Sequence, residues 1–143
     1  MAKLNTHPKT HLPEAIRSLY QVHQNIDDSA LLERSLYHLV LLQASQINQC
    51  AFCIKMHIAE ALADGETQTR LDRLIVWRHC SDFSAQEKAA FAWVEALTHL
   101  QSQTDYQPLR VELLKYFNEQ QISALTLLIG MINLWNRIGI SQH

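Results

Sequence analysis

The chain is poor in the residues that make tight turns, with 3 Gly and 3 Pro among 143 residues. A β-rich domain of this length needs many tight turns, and those turns draw on Gly, Pro, Asn and Asp. Leu, Ala and Gln are abundant instead, and these residue types favour helices. The shortage of turn residues therefore argues against a sandwich or a barrel and predicts an all-α protein.

A charge excess of either sign is also lacking, since the formal net charge is -2 and the sequence pI is about 6.4. Without a basic patch, nucleic acid is not an expected partner. The first residues contain no apolar segment typical of a secretory signal, and no apolar run approaches the ~20 residues of a membrane span. We therefore expect a cytoplasmic protein without a membrane partner.

Cysteine is scarce, with 3 residues in the chain. In a cytoplasmic protein, so few cysteines are not expected to form a static disulfide framework. Hydrophobic residues make up 48% of the sequence, which is enough for a buried core rather than a disordered chain. The length is typical of one domain, so residues 1–143 are interpreted as a single helical domain.

Apolar spacing and capping residues predict consecutive helices along the chain. The run Leu39–Leu42 is apolar on every side, which indicates a buried helix. Gly130 falls inside the last predicted helix, where it costs about 1 kcal/mol against Ala, so it indicates a close helix contact. The predicted helices cover about Pro13 to Asn25, Ser29 (as N-cap) to Ile47, Cys50 to Asp64 with Gly65 as the stop, Thr67 to Trp77, a capping-box helix from Ser84 to Gln101, Pro108 to Phe117, and Glu119 or Ile122 to Ile138.

The stretch Gln49–His57, QCAFCIKMH, combines two cysteines with a histidine. At the start of a helix, Cys50, Cys53 and His57 share one face, because residues three, four and seven positions apart are neighbours. The free N–H groups and the dipole of the first turn favour a thiolate, which is the nucleophilic form of cysteine. His57, one turn beyond Cys53, exchanges protons near neutral pH. The spacing predicts a nucleophile, a second thiol and a proton carrier.

Three interpretations of this stretch stay open on spacing alone. The first is a redox pair, and the second treats the cysteines and the histidine as ordinary buried core residues. The third is a metal site, since structural zinc sites use CxxC pairs. Its ligands would be Cys50, Cys53 and His57, completed by His38, His79 or Cys80.

Further short motifs accompany the cysteine pair between about Leu31 and Ile138. They are Ala44-Ser45-Gln46-Ile47-Asn48 before the pair, and then Ala61, Gly65-Glu66, Arg70-Leu71, Trp77-Arg78, Ala89-Ala90 with Trp93, and Asn133-x-Trp135-Asn136-Arg137 after it.

Together with CxxCxxxH, these motifs resemble the AhpD-like alkylhydroperoxidase branch of the carboxymuconolactone decarboxylase superfamily. The resemblance implies an all-helical bundle with the CxxC at the N-terminus of a central helix, assembled as a homo-oligomer of two, three or six copies. It also implies that Cys53 attacks a hydroperoxide substrate and that Cys50 resolves the product to a disulfide. An external dithiol would reduce that disulfide, and no metal or organic cofactor is expected.

One position departs from the family pattern. The family has a relay glutamate twelve residues before the first cysteine, and this chain has His38 there. A histidine also carries protons, so one expectation is that His38 takes over the relay beside His57 with an altered pH dependence. The other is that the change weakens or alters the activity. The alternative interpretation places His38 at a subunit contact.

Two other functions are open from the sequence. One is a lactone decarboxylase-type enzyme on the same fold, although members of that branch generally lack the cysteine pair. The other is a non-catalytic helical protein whose cysteines sense oxidants or bind zinc.

Overall fold

The computed structural model describes residues 4–142, and this part of the chain folds into eight α-helices and one 3-10 segment. The all-α prediction is confirmed. Residues 1–3 and 143 lie outside the described residues. The single-domain prediction and the secretory-signal prediction both include some of these residues. The helices are α1 (Pro8–His11), α2 (Pro13–Asp28), α3 (Arg34–Ile47), α4 (Ala51–Ala63), α5 (Gln68–Arg73), α6 (Ala85–His99), α7 (Gln107–Leu113) and α8 (Glu119–Ile140), with the 3-10 segment at Leu74–His79 between α5 and α6.

Helix α3 is the centre of the bundle. Its side chains are buried without a break from Leu36 through Ser45, as the all-round apolar run predicts. It packs against α4, α6 and α8, so three helices cover it on different sides. Each fully buried aliphatic side chain contributes about 1.5–3 kcal/mol, so the unbroken buried run of α3 stabilises the core.

Capping boxes begin two of the helices. At α6, the Ser84 hydroxyl accepts the Glu87 N–H at 3.1 Å, and the Glu87 carboxylate accepts the Ser84 N–H at 2.9 Å. This box confirms the prediction from the sequence. A second box, between Asn118 and Gln121, begins α8 and was not expected.

The prediction that Ser29 is an N-cap is wrong. Helix α2 continues past Asn25 because Ile26, the next residue, is buried in the core. Ser29 ends this helix, and its hydroxyl donates to the Ile26 carbonyl at 2.6 Å. Ala30 then takes a positive φ of 52°, so the chain reverses before α3 begins at Arg34.

The predicted helix from Thr67 to Trp77 is only partly correct. Thr67 does cap a helix, since its hydroxyl accepts the Arg70 N–H at 3.3 Å, but α5 ends at Arg73. From Leu74 onward the chain is a 3-10 segment, and Leu74 and Trp77 are both buried. Val76, between them, leaves helical geometry with φ -116° and ψ 29°, so the chain is kinked at this point.

Two further differences concern helix ends and glycine. Helix α1 was not predicted, since its four residues are too few for an apolar pattern. Gly130 makes no close helix contact within residues 4–142, because a Cβ there would meet no heavy atom within 4 Å other than backbone of its own helix. The close approach occurs instead at Gly139, which lies in the last turn of α8 beyond the predicted end of that helix.

By length and composition alone, helix α8 is long and apolar enough to cross a membrane. Core helices of soluble proteins share this property, so it does not distinguish a membrane-spanning helix from a core helix. That no membrane is a partner stays a prediction.

Candidate functional site

The turn between α3 and α4 positions the cysteine pair. Gln49 adopts a left-handed φ of 58°, which turns the chain sharply after α3. Cys50 follows in an extended conformation as the N-cap of α4, and its N–H donates to the Ser45 carbonyl at 3.1 Å. Helix α4 therefore begins directly after Cys50, within one residue of the predicted start.

Cys50 and Cys53 are joined by a disulfide, with their Cα atoms 5.2 Å apart. Both side chains are buried, since Cys50 is 0% exposed and Cys53 is 4% exposed. The Cys53 N–H donates to the Cys50 sulfur at 3.3 Å. Because this N–H is one of the free donors of the first turn, it also stabilises negative charge on Cys50 when the bond is open.

His57 lies one turn after Cys53 and is 4% exposed. Its Nδ1 donates to the Glu60 carboxylate at 3.3 Å, since a carboxylate only accepts. The proton on Nδ1 leaves Nε2 as the basic nitrogen, and Nε2 is buried without a hydrogen-bond partner among residues 4–142. Burial lowers the pKa of His57 below 6.5 although Glu60 acts in the opposite direction. His57 is therefore uncharged at neutral pH, and its Nε2 is the nitrogen that accepts a proton.

His38 faces the inside of the bundle from α3 and is 3% exposed. Its Nε2 donates to the Asp64 carboxylate at 2.5 Å, and its Nδ1 is buried without a partner in the described chain. Hydrogen bonds from His38 and from Arg34 hold the pKa of Asp64 below its ordinary value. His38 is thus a buried histidine oriented by an ionised carboxylate.

A third histidine, half-buried, lies nearby and was not singled out for the site from the sequence. His23 of α2 shares a hydrogen bond of 2.7 Å with the Tyr37 hydroxyl, and burial lowers the pKa of His23. Burial also raises the pKa of Tyr37 to about 12, so this hydroxyl keeps its proton. Positive charge on His23 or His38 would lower the pKa of His57, which places the three imidazoles within electrostatic reach of one another.

A polar network ties the cysteine turn to α8. Asn48 donates to Asn133 at 2.9 Å and to Asn136 at 3.0 Å, and Asn136 donates to the Ser45 hydroxyl at 2.9 Å. Asn136 and Ser45 are both fully buried. The sequence contains both parts of this network, in the motif Ala44–Asn48 before the cysteine pair and in the motif Asn133–Arg137 near the end. Only the fold shows that the two motifs meet.

The metal interpretation finds no support in the arrangement of side chains. No group of three or more His, Cys, Asp and Glu residues suited to a metal ion occurs within residues 4–142. Cys80, one candidate fourth ligand, is a half-buried free thiol that donates to the Trp77 carbonyl at 3.7 Å. The structure joins Cys50 to Cys53 and places His38 and His23 within electrostatic reach of His57. It adds Glu60 beside His57, Asp64 beside His38 and Tyr37 beside His23.

The chain is similar to several known proteins. The pattern of the carboxymuconolactone decarboxylase family matches residues 13–96. The uncharacterised protein YdfG of Bacillus subtilis is 34% identical over 130 residues, which is 91% of this chain and 88% of YdfG. A crystal structure from Agrobacterium tumefaciens, of a protein of unknown function suggested to be the antioxidant defence protein AhpD, superposes with a TM-score of 0.90 at 32% identity and covers 97% of this chain and 94% of that one.

A more distant structure shares the fold alone. It is an uncharacterised peroxidase-related protein from Ralstonia eutropha with an alkylhydroperoxidase AhpD core, at a TM-score of 0.77 and 16% identity, covering 93% of this chain and 70% of that one. The chain has the AhpD-like all-α fold, with the Cys50–Cys53 pair at the start of α4. The chain belongs to the carboxymuconolactone decarboxylase family, which confirms the resemblance seen in the sequence.

Proposed function

We propose that this protein is a thiol-dependent hydroperoxide reductase whose reacting group is the Cys50–Cys53 pair. The observation that carries the proposal is the buried disulfide at the N-terminus of α4 with a neutral histidine one turn beyond it. The likeness to a protein suggested to be an AhpD supports the same chemistry. The protein would act without a metal or an organic cofactor.

In the proposed cycle, the Cys53 thiolate attacks the terminal oxygen of the hydroperoxide. The O–O bond breaks, the alcohol leaves with a proton, and Cys53 becomes a sulfenic acid. Cys50 then attacks the Cys53 sulfur, water leaves, and the disulfide forms. The two thiols supply the two electrons that reduce the peroxide.

The histidines would handle the protons of this cycle. His57 Nε2 accepts the thiol proton of Cys53 and returns it to the departing alkoxide. His38, with its Nε2 proton held by Asp64, has a free Nδ1 that relays protons between His57 and the edge of the bundle where Asp64 lies. Asp64 would be a positioning residue that sets which nitrogen of His38 is basic.

Regeneration would require an external dithiol that attacks Cys53. Cys53 is the slightly more exposed residue of the buried pair, and Cys50 is the better leaving group because the Cys53 N–H stabilises its thiolate. The dithiol passes two electrons and two protons to the pair and closes its own disulfide. The physiological reductant is therefore expected to carry two adjacent thiols.

A thiol titration tests the proposal. Reduced, metal-free protein has three thiols, and one equivalent of an organic hydroperoxide should leave one. Cys80→Ser is the matched control, because it should lose both of its two thiols. Cys53→Ser should form no intramolecular disulfide. If wild-type protein keeps all three thiols, or if Cys53→Ser reduces peroxide as fast as wild type, the peroxidase proposal is wrong.

Turnover separates this function from the alternatives. Repeated peroxide reduction in the presence of a dithiol is expected of the enzyme, whereas a single oxidation that no dithiol reverses would indicate an oxidant sensor. The family match favours one other candidate, a lactone decarboxylase-type activity. Release of carbon dioxide from a carboxylated lactone by a Cys50→Ser, Cys53→Ser double variant would favour that candidate instead.

A further inference from the structure

The last turn of α8 lies directly on the disulfide. A Cβ atom built on Gly139 would be 2.9 Å from the Cys50 sulfur and 3.1 Å from the Cys53 sulfur. Non-bonded contacts of carbon are most favourable at about 3.5–4.0 Å, so any side chain at this position would collide with both sulfurs. Glycine is required here by the space that the bonded sulfurs occupy.

Gly130, in the same helix, provides the contrast. Glycine weakens a helix relative to alanine, and among the described residues a Cβ at Gly130 would meet no heavy atom within 4 Å beyond its own helix backbone. Gly139 also lies in regular helix, so no unusual backbone angle calls for glycine there. Contact with the sulfurs is thus the structural feature that distinguishes Gly139 from Gly130.

The position of this Cβ relates it to the bond between the sulfurs. Its two distances are nearly equal, so the atom would stand over the middle of the disulfide. When the bond is reduced, the sulfurs separate to non-bonded contact, and each moves away from that midpoint. A side chain at position 139 would therefore disfavour the disulfide more than the dithiol.

We propose that Gly139 sets the thiol–disulfide equilibrium of the Cys50–Cys53 pair by letting the end of α8 lie on the bonded sulfurs. The contact stabilises the disulfide and covers it, which agrees with the nearly complete burial of both cysteines. The Asn48–Asn136 hydrogen bond holds α8 against the cysteine turn one helical turn away. The proposal rests on the redox role proposed for the pair, but it does not require that the oxidant is a peroxide.

The test is equilibration of wild-type and Gly139→Ala protein with dithiothreitol and its oxidised form. In this exchange a dithiothreitol thiolate attacks one sulfur, the mixed disulfide opens as the reagent closes its ring, and two electrons and two protons pass to the pair. We expect the equilibrium of Gly139→Ala to shift toward the dithiol by about fivefold or more. The disulfide should also be reduced faster. A shift below twofold would overturn the proposal.

Gly130→Ala is the matched control, since it makes the same change in the same helix without contact to the sulfurs. Its equilibrium should remain within twofold of wild type, and an equal shift in both variants would also overturn the proposal. Circular dichroism melting of both redox forms checks folding. Gly139→Ala should lose more stability as the disulfide than as the dithiol, and the reverse order would contradict the argument.

Hydrogen exchange of the wild-type protein tests the same contact without a substitution. Amides of residues 137–142 should exchange faster in the dithiol form, because the last turn of α8 no longer packs on the bonded sulfurs of Cys50 and Cys53. Amides of residues 124–130 should exchange at the same rate in both redox forms. Identical exchange at 137–142 in both forms would argue against the contact. A protein inactive toward peroxide whose equilibrium still shifts in Gly139→Ala would end the peroxidase proposal and leave this one standing.

Discussion

His38 donates its Nε2 proton to Asp64 across 2.5 Å, and this bond joins α3 to the residue that ends α4. The two residues are 26 positions apart in the chain. Because Asp64 is ionised and only accepts, the bond leaves Nδ1 of His38 as the basic nitrogen inside the bundle. A histidine at the position of the family's relay glutamate thus has its own carboxylate partner.

The first prediction concerns this pair. In Asp64→Asn, the amide no longer holds His38 in one tautomer, so oxidation of Cys53 by a hydroperoxide should slow. We expect a loss of about tenfold or more, which is part of the rate enhancement that positioned acid–base groups supply. Stopped-flow rates across pH 5–9 provide the measurement, and the pH profile should change shape as well as height. His38→Gln should show a similar loss, and the double variant should lose little more.

Asp28→Asn is the control, because Asp28 is exposed and accepts a hydrogen bond only from Gln24 among the bonds of the described residues. Its rate should match wild type. An Asp64→Asn protein with a wild-type pH profile would show that Asp64 contributes to structure alone.

The second prediction concerns acid stability. The pKa of His57 is lowered by burial, so below its ordinary value of 6.5 the unfolded chain binds a proton that the folded protein does not. The free energy of unfolding should therefore fall as pH decreases from about 6.5 to the lowered pKa of the folded state, and level off below it. His23 acts in the same direction, since burial lowers its pKa too.

Urea unfolding of the disulfide form at pH 8.0 and at several values down to pH 5.0 measures this effect. His57→Gln should show a shallower loss of stability on acidification than wild type, because one buried group no longer has to bind a proton. His57 and His23 are both neutral at pH 8.0, so stability at this pH is the reference for each protein. An equally steep loss in His57→Gln would contradict the assigned cause.

The third prediction concerns the polar network behind the cysteine turn. Asn136→Ala leaves the buried Ser45 hydroxyl without its donor and Asn48 without one acceptor. Unpaired buried polar groups cost about 1–3 kcal/mol, and we expect the free energy of unfolding to fall by that amount. Ser123→Ala, an exposed change in the same helix, should stay within about 0.5 kcal/mol of wild type. Equal effects of the two substitutions would show that the network adds no stability.

Most of the helices could be predicted because their signals are local. The capping box at Ser84 and the apolar run Leu39–Leu42 each lie within a few residues, and both were confirmed. The error at Ser29 has a local cause as well, since the same side chain caps a helix start or closes a helix end. Burial of Ile26, which decided between them, depends on distant residues.

The site was predictable to a similar extent. Cys50, Cys53 and His57 come together through helical spacing alone, and the structure places the pair where the sequence indicated. Asp64 and His23 were missed because each reaches the site through packing between helices. Gly130 attracted attention as an interior glycine, whereas the glycine with a close contact is Gly139.

The sequence by itself therefore determined the helical class, the adjacent thiols and the histidine one turn beyond them, since a helix fixes the relation of residues three to seven positions apart. The tertiary structure decided which nitrogen of His38 is basic and why a glycine must lie over the sulfurs. Both depend on how residues far apart in the chain meet when α3, α4 and α8 pack, and no local period encodes that meeting.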